Sequence, residues 1–227
     1  MKTQLIFLRR LLIAAVLAGV AGGAIAQGVK LPPVDEGSGD PGWLLFKARL
    51  LEALEKRDRK FVLGIVDSRI RNMSSKSGIE EFRKLWEPQS AGSPLWVELP
   101  KLLFLGGAFV KRGNAGNEFC APYVHYRWPV NAAGDASGAI IAKESLMKTK
   151  PSAATDTLQT LSYDLVKVLD WEVADDDSAS PQKWVRIRTG AGEGYVPEEQ
   201  VRSPLEYRAC FVRSGASWRM TGLEAGE

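Results

Sequence analysis

Few residues of this sequence have the types and spacing that catalysis requires. His125 is the only histidine, and a histidine acts as a general base when a group that it can deprotonate lies within reach. The sequence singles out no serine, cysteine or aspartate as a partner, so we interpret His125 as a structural or surface residue. Zinc sites usually combine several cysteines and histidines at short spacings, and that pattern is missing. We therefore predict no catalytic residue, no metal site and no cofactor.

The glycine-rich run at residues 190–194 superficially resembles a phosphate-binding loop, with glycines at Gly190, Gly192 and Gly194. A phosphate-binding loop ends in lysine followed by serine or threonine, and this run does not. It also lies between two predicted strands, where glycine permits the positive φ angles of a tight turn. We interpret the run as a hairpin turn.

The first 26 residues have the three parts of a secretory signal peptide. Basic residues end at Arg9 and Arg10, an uncharged apolar run follows, and Ala24 and Ala26 fit the small-residue cleavage site. An uncleaved membrane anchor is the alternative, but the apolar run is short for a span of about 20 residues. We predict a periplasmic or secreted protein that has no membrane contact after cleavage.

Removal of the signal peptide changes the charge balance of the chain. The full sequence has 30 lysines and arginines against 27 aspartates and glutamates. Three of the basic residues and none of the acidic ones lie in the signal peptide, so the remainder has no net charge. Composition therefore gives no reason to expect a nucleic acid or an anionic membrane as partner.

The first part of the mature chain is predicted to be helical. Residues 27–39 are rich in proline, glycine and serine, which predicts a flexible lead-in. Apolar residues then recur at helical spacing over four segments, the first of them capped by Asp40. Ser77 and Glu80 have the spacing of a capping box at the third helix. Pro100 is expected to kink or shorten the fourth helix.

Two later regions have the pattern of strands. Residues 118–130 are dense in aromatic and β-branched side chains, which predicts a strand with Pro122 at an edge or bulge. Two alternating runs near the end of the chain, at 207–213 and 218–223, predict a C-terminal hairpin. The small residues at 131–138 predict a linker.

Between these regions, short runs of valine, leucine, isoleucine, tryptophan and tyrosine are separated by glycine, proline and aspartate. The runs are 158–161, 165–169, 184–187 and 194–196. This order resembles the bacterial SH3-like domain, from which it departs at 145–148 and by an acidic insertion at 172–177. The resemblance implies a small β-barrel over residues 138–203 that binds a ligand and does not catalyse a reaction.

The flanking parts resemble the cone-shaped ketosteroid-isomerase-like fold in the order of their elements. That resemblance implies helices packed on a curved antiparallel sheet, with residues 40–137 completed by the hairpin in 204–227. We therefore predict an α+β protein in which an SH3-like barrel is inserted before the C-terminal hairpin. A helical domain followed by one larger β domain is the simpler alternative.

The two cysteines, Cys120 and Cys210, bear on this choice. One precedes and the other follows the predicted barrel, and an oxidising compartment favours a disulfide between them. We predict that this disulfide closes the chain at the base of the insertion. Two buried thiols are the alternative.

The predicted function is binding. SH3-like barrels hold extended peptides on aromatic surfaces, and the resemblance implies peptidoglycan peptides or an envelope protein as the ligand. Tyr163 and Trp171 are the candidate ligand-binding residues, with core packing an equal alternative. Tyr195 is expected in the barrel core, and Trp184 fits either role.

A second hypothesis is a small-ligand carrier or an enzyme. Its pocket would lie in the helix-plus-sheet domain, with Tyr123, His125 or Tyr126 at the wall. This hypothesis depends on the fold resemblance, and a fold alone does not determine a function.

Overall fold

The computed structural model describes residues 28–73, 76–112 and 117–226. The predicted signal peptide lies outside these residues. Within them, the chain forms five α-helices and two β-sheets, one of five strands and one of seven. The protein is therefore α+β, as the sequence predicted.

The elements follow one another in a simple order. The helices are α1 (Pro41–Glu55), α2 (Arg59–Ile65), α3 (Ile79–Trp86), α4 (Leu95–Phe104) and α5 (Tyr123–Tyr126). The strands of the five-stranded sheet are β1 (Val66–Asn72), β2 (Ala108–Lys111), β3 (Asn117–Ala121), β11 (Arg208–Ser214) and β12 (Ser217–Glu224). The strands of the seven-stranded sheet are β4 (Ser137–Ile140), β5 (Ser145–Lys148), β6 (Thr157–Leu161), β7 (Leu165–Ala174), β8 (Lys183–Thr189), β9 (Gly192–Pro197) and β10 (Val201–Arg202).

Aspartate side chains cap the first two helices, whereas the N-cap residues of the other three provide no side-chain cap. The side chain of Asp40 accepts hydrogen bonds from the amides of Gly42 and Trp43, at 2.8 and 3.1 Å, which satisfies two of the free amides at the start of α1. The capping box predicted at Ser77 is wrong. Gly78, at φ 106°, is the N-cap of α3, and no side chain caps that end. The backbone enters α3 through this positive φ, which a glycine adopts without strain.

The five-stranded sheet has the order β1-β12-β11-β3-β2. Its neighbours are antiparallel except for β1 and β12, which are parallel. The sheet is therefore mixed, and the prediction of an antiparallel sheet is wrong for this pair. No tight hairpin constrains the direction of β1, because it follows α2 directly and its partner lies at the far end of the chain.

Aromatic side chains fill the space between the helices and one face of this sheet. Trp43 is fully buried, and its ring centroid lies 4.1 Å from that of Phe119 and 5.2 Å from that of Phe211. Burial of side chains this large contributes about 2 to 3 kcal/mol each. The apolar stripe of α1 therefore becomes the main core of the protein, as its spacing predicted.

The predicted disulfide is confirmed. Cys120 on β3 and Cys210 on β11 are bonded, and they are directly opposite each other in the register of the two strands. The prediction that residues 118–130 form one strand is wrong beyond Ala121. The bond to Pro122 is cis, and α5 follows, because proline has no amide hydrogen with which to continue the ladder.

The seven-stranded sheet has the order β10-β4-β7-β8-β9-β5-β6, with antiparallel neighbours. All seven strands lie between β3 and β11 in the chain. The end strands β6 and β10 do not pair with each other in the part of the chain that the structure describes, so the predicted closed barrel is not present. Val185, Ile187 and Val196 are fully buried at its core, whereas Tyr195 is half-buried and lies outside that cluster.

The lead-in joins the two sheets. Residues 28–39 were predicted to be flexible, but their backbone bonds to both units. The amide of Leu31 donates to the Tyr163 carbonyl at 2.7 Å, and that of Glu36 donates to the Gly107 carbonyl at 2.9 Å. Leu31 is also buried in a third apolar cluster, with Tyr123 of α5. The prediction of a flexible segment is therefore wrong, because it did not account for the burial of Leu31.

None of the helices in the described ranges 28–73, 76–112 and 117–226 has the length and hydropathy that a membrane span requires.

Candidate functional site

A cleft of about 880 Å³ lies between the C-terminal half of α4 and the seven-stranded sheet. Such volumes are typical of ligand-binding pockets. Its apolar lining consists of Phe104, Leu105, Ile141, Trp171, Pro181 and Val201. Its polar lining consists of Glu98, Lys101, Glu172, Gln182, Lys183, Glu198, Glu199, Arg202, Ser203 and Glu206. We call this space the cleft.

The packing between the two sheets determines the position of the cleft. Leu105, just after α4, and Ile141, just after β4, both line the cleft and pack against the third apolar cluster. The buried members of that cluster include Leu31 and Ala139. The cleft is therefore held open by an apolar contact between the two units, which the lead-in completes.

A bulge in β7 directs two consecutive side chains toward the cleft. Asp170 is opposite Arg186 and Val173 is opposite Trp184, so β7 has one residue more than β8 over this interval. Consecutive side chains of a regular strand point to opposite faces, but Trp171 and Glu172 both line the cleft. Glu172 has φ 57°, in the left-handed region. A bulge of this kind changes the direction of a side chain.

A glycine on the neighbouring strand makes room for the side chain of Val201 beside Trp171. A Cβ atom at Gly138 would lie 3.6 Å from Cη2 of Trp171 and 2.7 Å from Cγ1 of Val201. The second distance is shorter than non-bonded carbon atoms allow. The absence of a side chain at 138 therefore allows β4, β7 and β10 to pack closely under the apolar part of the cleft.

The cleft has two more carboxylates than basic groups. Its five glutamates face Lys101, Lys183 and Arg202. Glu98 pairs with Lys101 at 2.8 Å, Glu206 pairs with Arg202 at 3.0 Å, and Glu199 accepts a hydrogen bond from Gln182 at 2.7 Å.

The remaining two carboxylates are Glu172 and Glu198. Neither has a hydrogen bond or an ion pair with another side chain in the described part of the chain. Partial burial raises the pKa of Glu198, the carboxylates of Glu172 and Glu206 raise it further, and Lys183 opposes the change. The cleft therefore has an excess of negative charge, in which Glu172 is exposed to solvent and Glu198 is close enough to Lys183 to interact with it.

Arg202 connects the wall of the cleft to the start of β11. Arg202 is only 6% exposed. Its Nη1 pairs with Glu206, and its Nη2 donates a hydrogen bond to the carbonyl of Tyr207 at 2.7 Å. The Nε atom is buried without a hydrogen-bond partner among the described residues. The pKa of Glu206 is raised, because the effect of burial outweighs the opposing effect of the Arg202 guanidinium.

The two predicted ligand-binding residues lie in different places. Trp171 is half-buried and lines the cleft. Tyr163 lies in the turn before β7, at φ 55°, where its backbone bonds to Leu31 and Ala142. Tyr163 is not part of the cleft lining. The structure thus brings only Trp171 to this site.

The other candidate residues have structural contacts. Trp184 is 2% exposed and donates from Nε1 to Asp175 at 2.8 Å. Tyr123 is buried and donates to the Leu31 carbonyl at 3.3 Å, and burial raises its pKa to about 12. His125 Nδ1 lies 2.8 Å from the Pro204 carbonyl oxygen, and burial lowers its pKa.

Tyr126 lies next to the disulfide, with its hydroxyl 3.0 Å from Sγ of Cys210. Its ring meets that of His125 edge to face, at 4.6 Å between centroids. Tyr123, His125 and Tyr126 line neither the cleft nor the second cavity of about 390 Å³ beside Trp184. The side chains proposed for a pocket in the helix-plus-sheet domain are therefore engaged in packing.

A second charged cluster lies on the sheet face that carries the disulfide. Glu118 is 7% exposed. One of its oxygens accepts from Thr221 at 2.8 Å and from Arg71 at 3.3 Å. The other accepts from Arg71 and Arg112, each at 3.3 Å. The Glu118 carboxylate is therefore fully bonded. The cysteine sulfurs near it form the disulfide and are not free to ligate a metal.

The sequence reasoning missed Phe104, Glu198 and Arg202 as residues of the site. The sequence did contain a signal for Phe104, because helical spacing places Leu99 and Leu102 on one face of α4 and Phe104 on the opposite face. The structure accordingly leaves Phe104 73% exposed. Glu198 and Arg202 had no such signal, since their role depends on the position of α4.

Comparison with known proteins gives no further guide, since no protein-family model matches the chain and neither the curated proteins nor the solved structures include a significant match.

Proposed function

We propose that this chain is an exported, non-catalytic binding protein of the bacterial envelope, and that the cleft holds an extended segment of a partner protein. One observation carries this proposal. The bulge in β7 turns an aromatic side chain and a carboxylate, Trp171 and Glu172, into a cleft of about 880 Å³. A left-handed glutamate costs about 1 kcal/mol, and strained residues of this kind cluster at binding sites.

The charge of the cleft favours a protein segment over peptidoglycan peptides. Peptidoglycan peptides offer an ammonium group only on their diamino acid and carry free carboxylates besides, of which the cleft already has an excess. Like charges brought together in a partly desolvated site repel each other. A protein segment can instead present apolar and basic side chains to the apolar lining and the carboxylates.

We interpret the seven-stranded unit as an open variant of the SH3-like domain. The runs at 158–161, 165–169, 184–187 and 194–196 all fall within strands. The departure from that family at 172–177 begins in the bulge that forms part of the cleft. On this interpretation, the acidic insertion is the feature that adapts the module to its ligand.

The alternative function, a small-ligand carrier or enzyme with a pocket in the helix-plus-sheet domain, has less support. It requires Tyr123, His125 or Tyr126 at a cavity wall, and their polar atoms contact the backbone or the disulfide. An open cleft with both apolar and charged lining residues suits a peptide better than a small reactive substrate.

Selection from a display library of random heptapeptides, using the chain without its first 26 residues, tests the proposal. We expect ligands whose affinity falls at least tenfold in Trp171→Ala and in Phe104→Ala. Tyr163→Ala is the matched control, since it removes a half-buried aromatic side chain from the turn before β7, outside the cleft.

Co-sedimentation with purified peptidoglycan is the second arm of this experiment. We expect the protein to remain in the supernatant. Sedimentation that Trp171→Ala abolishes would assign the cleft to peptidoglycan instead. A library that yields no ligand dependent on Trp171 would contradict the proposed peptide site.

A further inference from the structure

We infer that the cleft selects a peptide with an arginine or lysine side chain, which binds at the face of Trp171 beside the carboxylates of Glu172 and Glu198. This inference rests on the proposed function and adds the chemistry that the bound segment must carry. It concerns a protein segment and no other class of macromolecule.

The first support is the uneven pairing of charges in the cleft. Glu98, Glu199 and Glu206 each have a partner within 3.0 Å. Glu172, which is exposed, and Glu198, which Lys183 affects only through space, have no hydrogen-bonded partner of this kind among the described residues, and both line the cleft. A basic side chain entering between the walls would supply the missing donors, whereas an acidic one would add to the excess.

The second support is the aromatic surface beside these carboxylates. Trp171 precedes Glu172 in the chain, is half-buried against the core of the seven-stranded sheet, and lines the cleft. A guanidinium or ammonium group is attracted to the face of an indole ring, and a planar guanidinium can also stack on it. A carboxylate next to an indole is thus a suitable combination for an arginine side chain.

The third support is the apolar rim at the end of α4. Phe104 is 73% exposed and lines the cleft, so it offers a contact for an apolar residue next to the basic one. The expected motif is therefore one basic residue with an apolar neighbour. Lys101 and Lys183 also line the cleft, and their charges disfavour a second basic side chain.

Calorimetric titration of the chain without its first 26 residues tests this inference. The probe is the pentapeptide acetyl-Ala-Leu-Arg-Phe-Ala-amide, compared with the same peptide containing citrulline, which keeps the shape of arginine without its charge. We expect the arginine peptide to bind about tenfold more tightly. Glu172→Gln and Glu198→Gln should each reduce this ratio, and the exposed Glu55→Gln should not change it.

The outcomes separate this inference from the proposed function. Equal affinity for both peptides, lost in Trp171→Ala, would overturn the charge selection and leave the peptide cleft intact. The same conclusion would follow if neither pentapeptide bound and the library yielded Trp171-dependent ligands without basic residues. A library with no Trp171-dependent ligand would overturn both.

Discussion

Two regions of this molecule place glutamates near arginines and use them differently. On the disulfide face of the five-stranded sheet, both oxygens of Glu118 accept two hydrogen bonds each. In the cleft, Glu172 and Glu198 have no hydrogen bond from another described side chain. Glu118 is buried and receives its donors from the protein, whereas Glu172 is exposed and Glu198 half-buried, so water solvates them. The comparison separates charge that serves the fold from charge available to a ligand.

The largest expected effect comes from the disulfide beside Glu118. Replacement of Cys120 and Cys210 by serine opens a loop set by their separation of 90 residues. In the chain-entropy model this lowers the free energy of unfolding by about 4 kcal/mol. Urea denaturation measures the loss. An unchanged denaturation midpoint would show that the packing between the two sheets stabilises the base of the insertion without the disulfide.

The next effect breaks the bonded cluster itself. Glu118→Gln removes the carboxylate shared by Arg71 and Arg112, while Arg71 keeps its ion pair with Glu224. We expect the free energy of unfolding to fall by about 2 kcal/mol. Urea denaturation of this variant beside Glu55→Gln, an exposed glutamate of α1, gives the measurement and its control. A loss of stability no larger than that of the control would show that Glu118, like the cleft carboxylates, does not stabilise the fold.

A smaller effect of opposite sign is expected at the bulge. Glu172→Gly relieves the left-handed φ of 57°, so the free energy of unfolding should rise by about 0.5 to 1 kcal/mol. Affinity for the arginine peptide should fall, because the carboxylate is lost.

Glu87→Gly is the matched control for this variant. Glu87 also has a positive φ, of 40°, at the end of α3. It should gain stability without a change in affinity. A loss of affinity in Glu87→Gly equal to that in Glu172→Gly would remove the specific role of the bulge.

The smallest effect concerns Glu198 and depends on pH. Its pKa is raised in the folded protein, mainly by burial, so its ionised form opposes folding. Glu198→Gln should raise the free energy of unfolding by about 0.5 kcal/mol at neutral pH. This gain should vanish below the ordinary glutamate pKa of about 4.3, where the native side chain is neutral in both states. A gain that persists at pH 3 would contradict the electrostatic cause.

Local patterns in the sequence predicted the parts of the fold that local chemistry determines. Asp40 and the apolar stripe after it gave α1, and the flanking positions of Cys120 and Cys210 gave the disulfide. The capping box predicted at Ser77 is wrong, because the N-cap of α3 is Gly78, at a positive φ. The prediction of a flexible lead-in is wrong, because Leu31 is buried in an apolar cluster that forms only when the two units pack together.

The candidate site was less predictable, because residues distant in the sequence form it. Trp171 could be proposed from its aromatic type at a strand end. Glu98, Glu198 and Arg202 come from separate elements and meet only when α4 packs beside the seven-stranded sheet. Tyr163 had the same type of signal as Trp171, but its turn faces the lead-in.

The most direct test of the account follows the seven tryptophan indole N–H resonances during titration of the ¹⁵N-labelled chain with acetyl-Ala-Leu-Arg-Phe-Ala-amide. Trp171→Phe identifies the resonance of Trp171. The account predicts that this resonance shifts on titration, and that those of the core residues Trp43 and Trp218 stay in place. Movement of the core resonances with no change at Trp171 would contradict the cleft as the binding site.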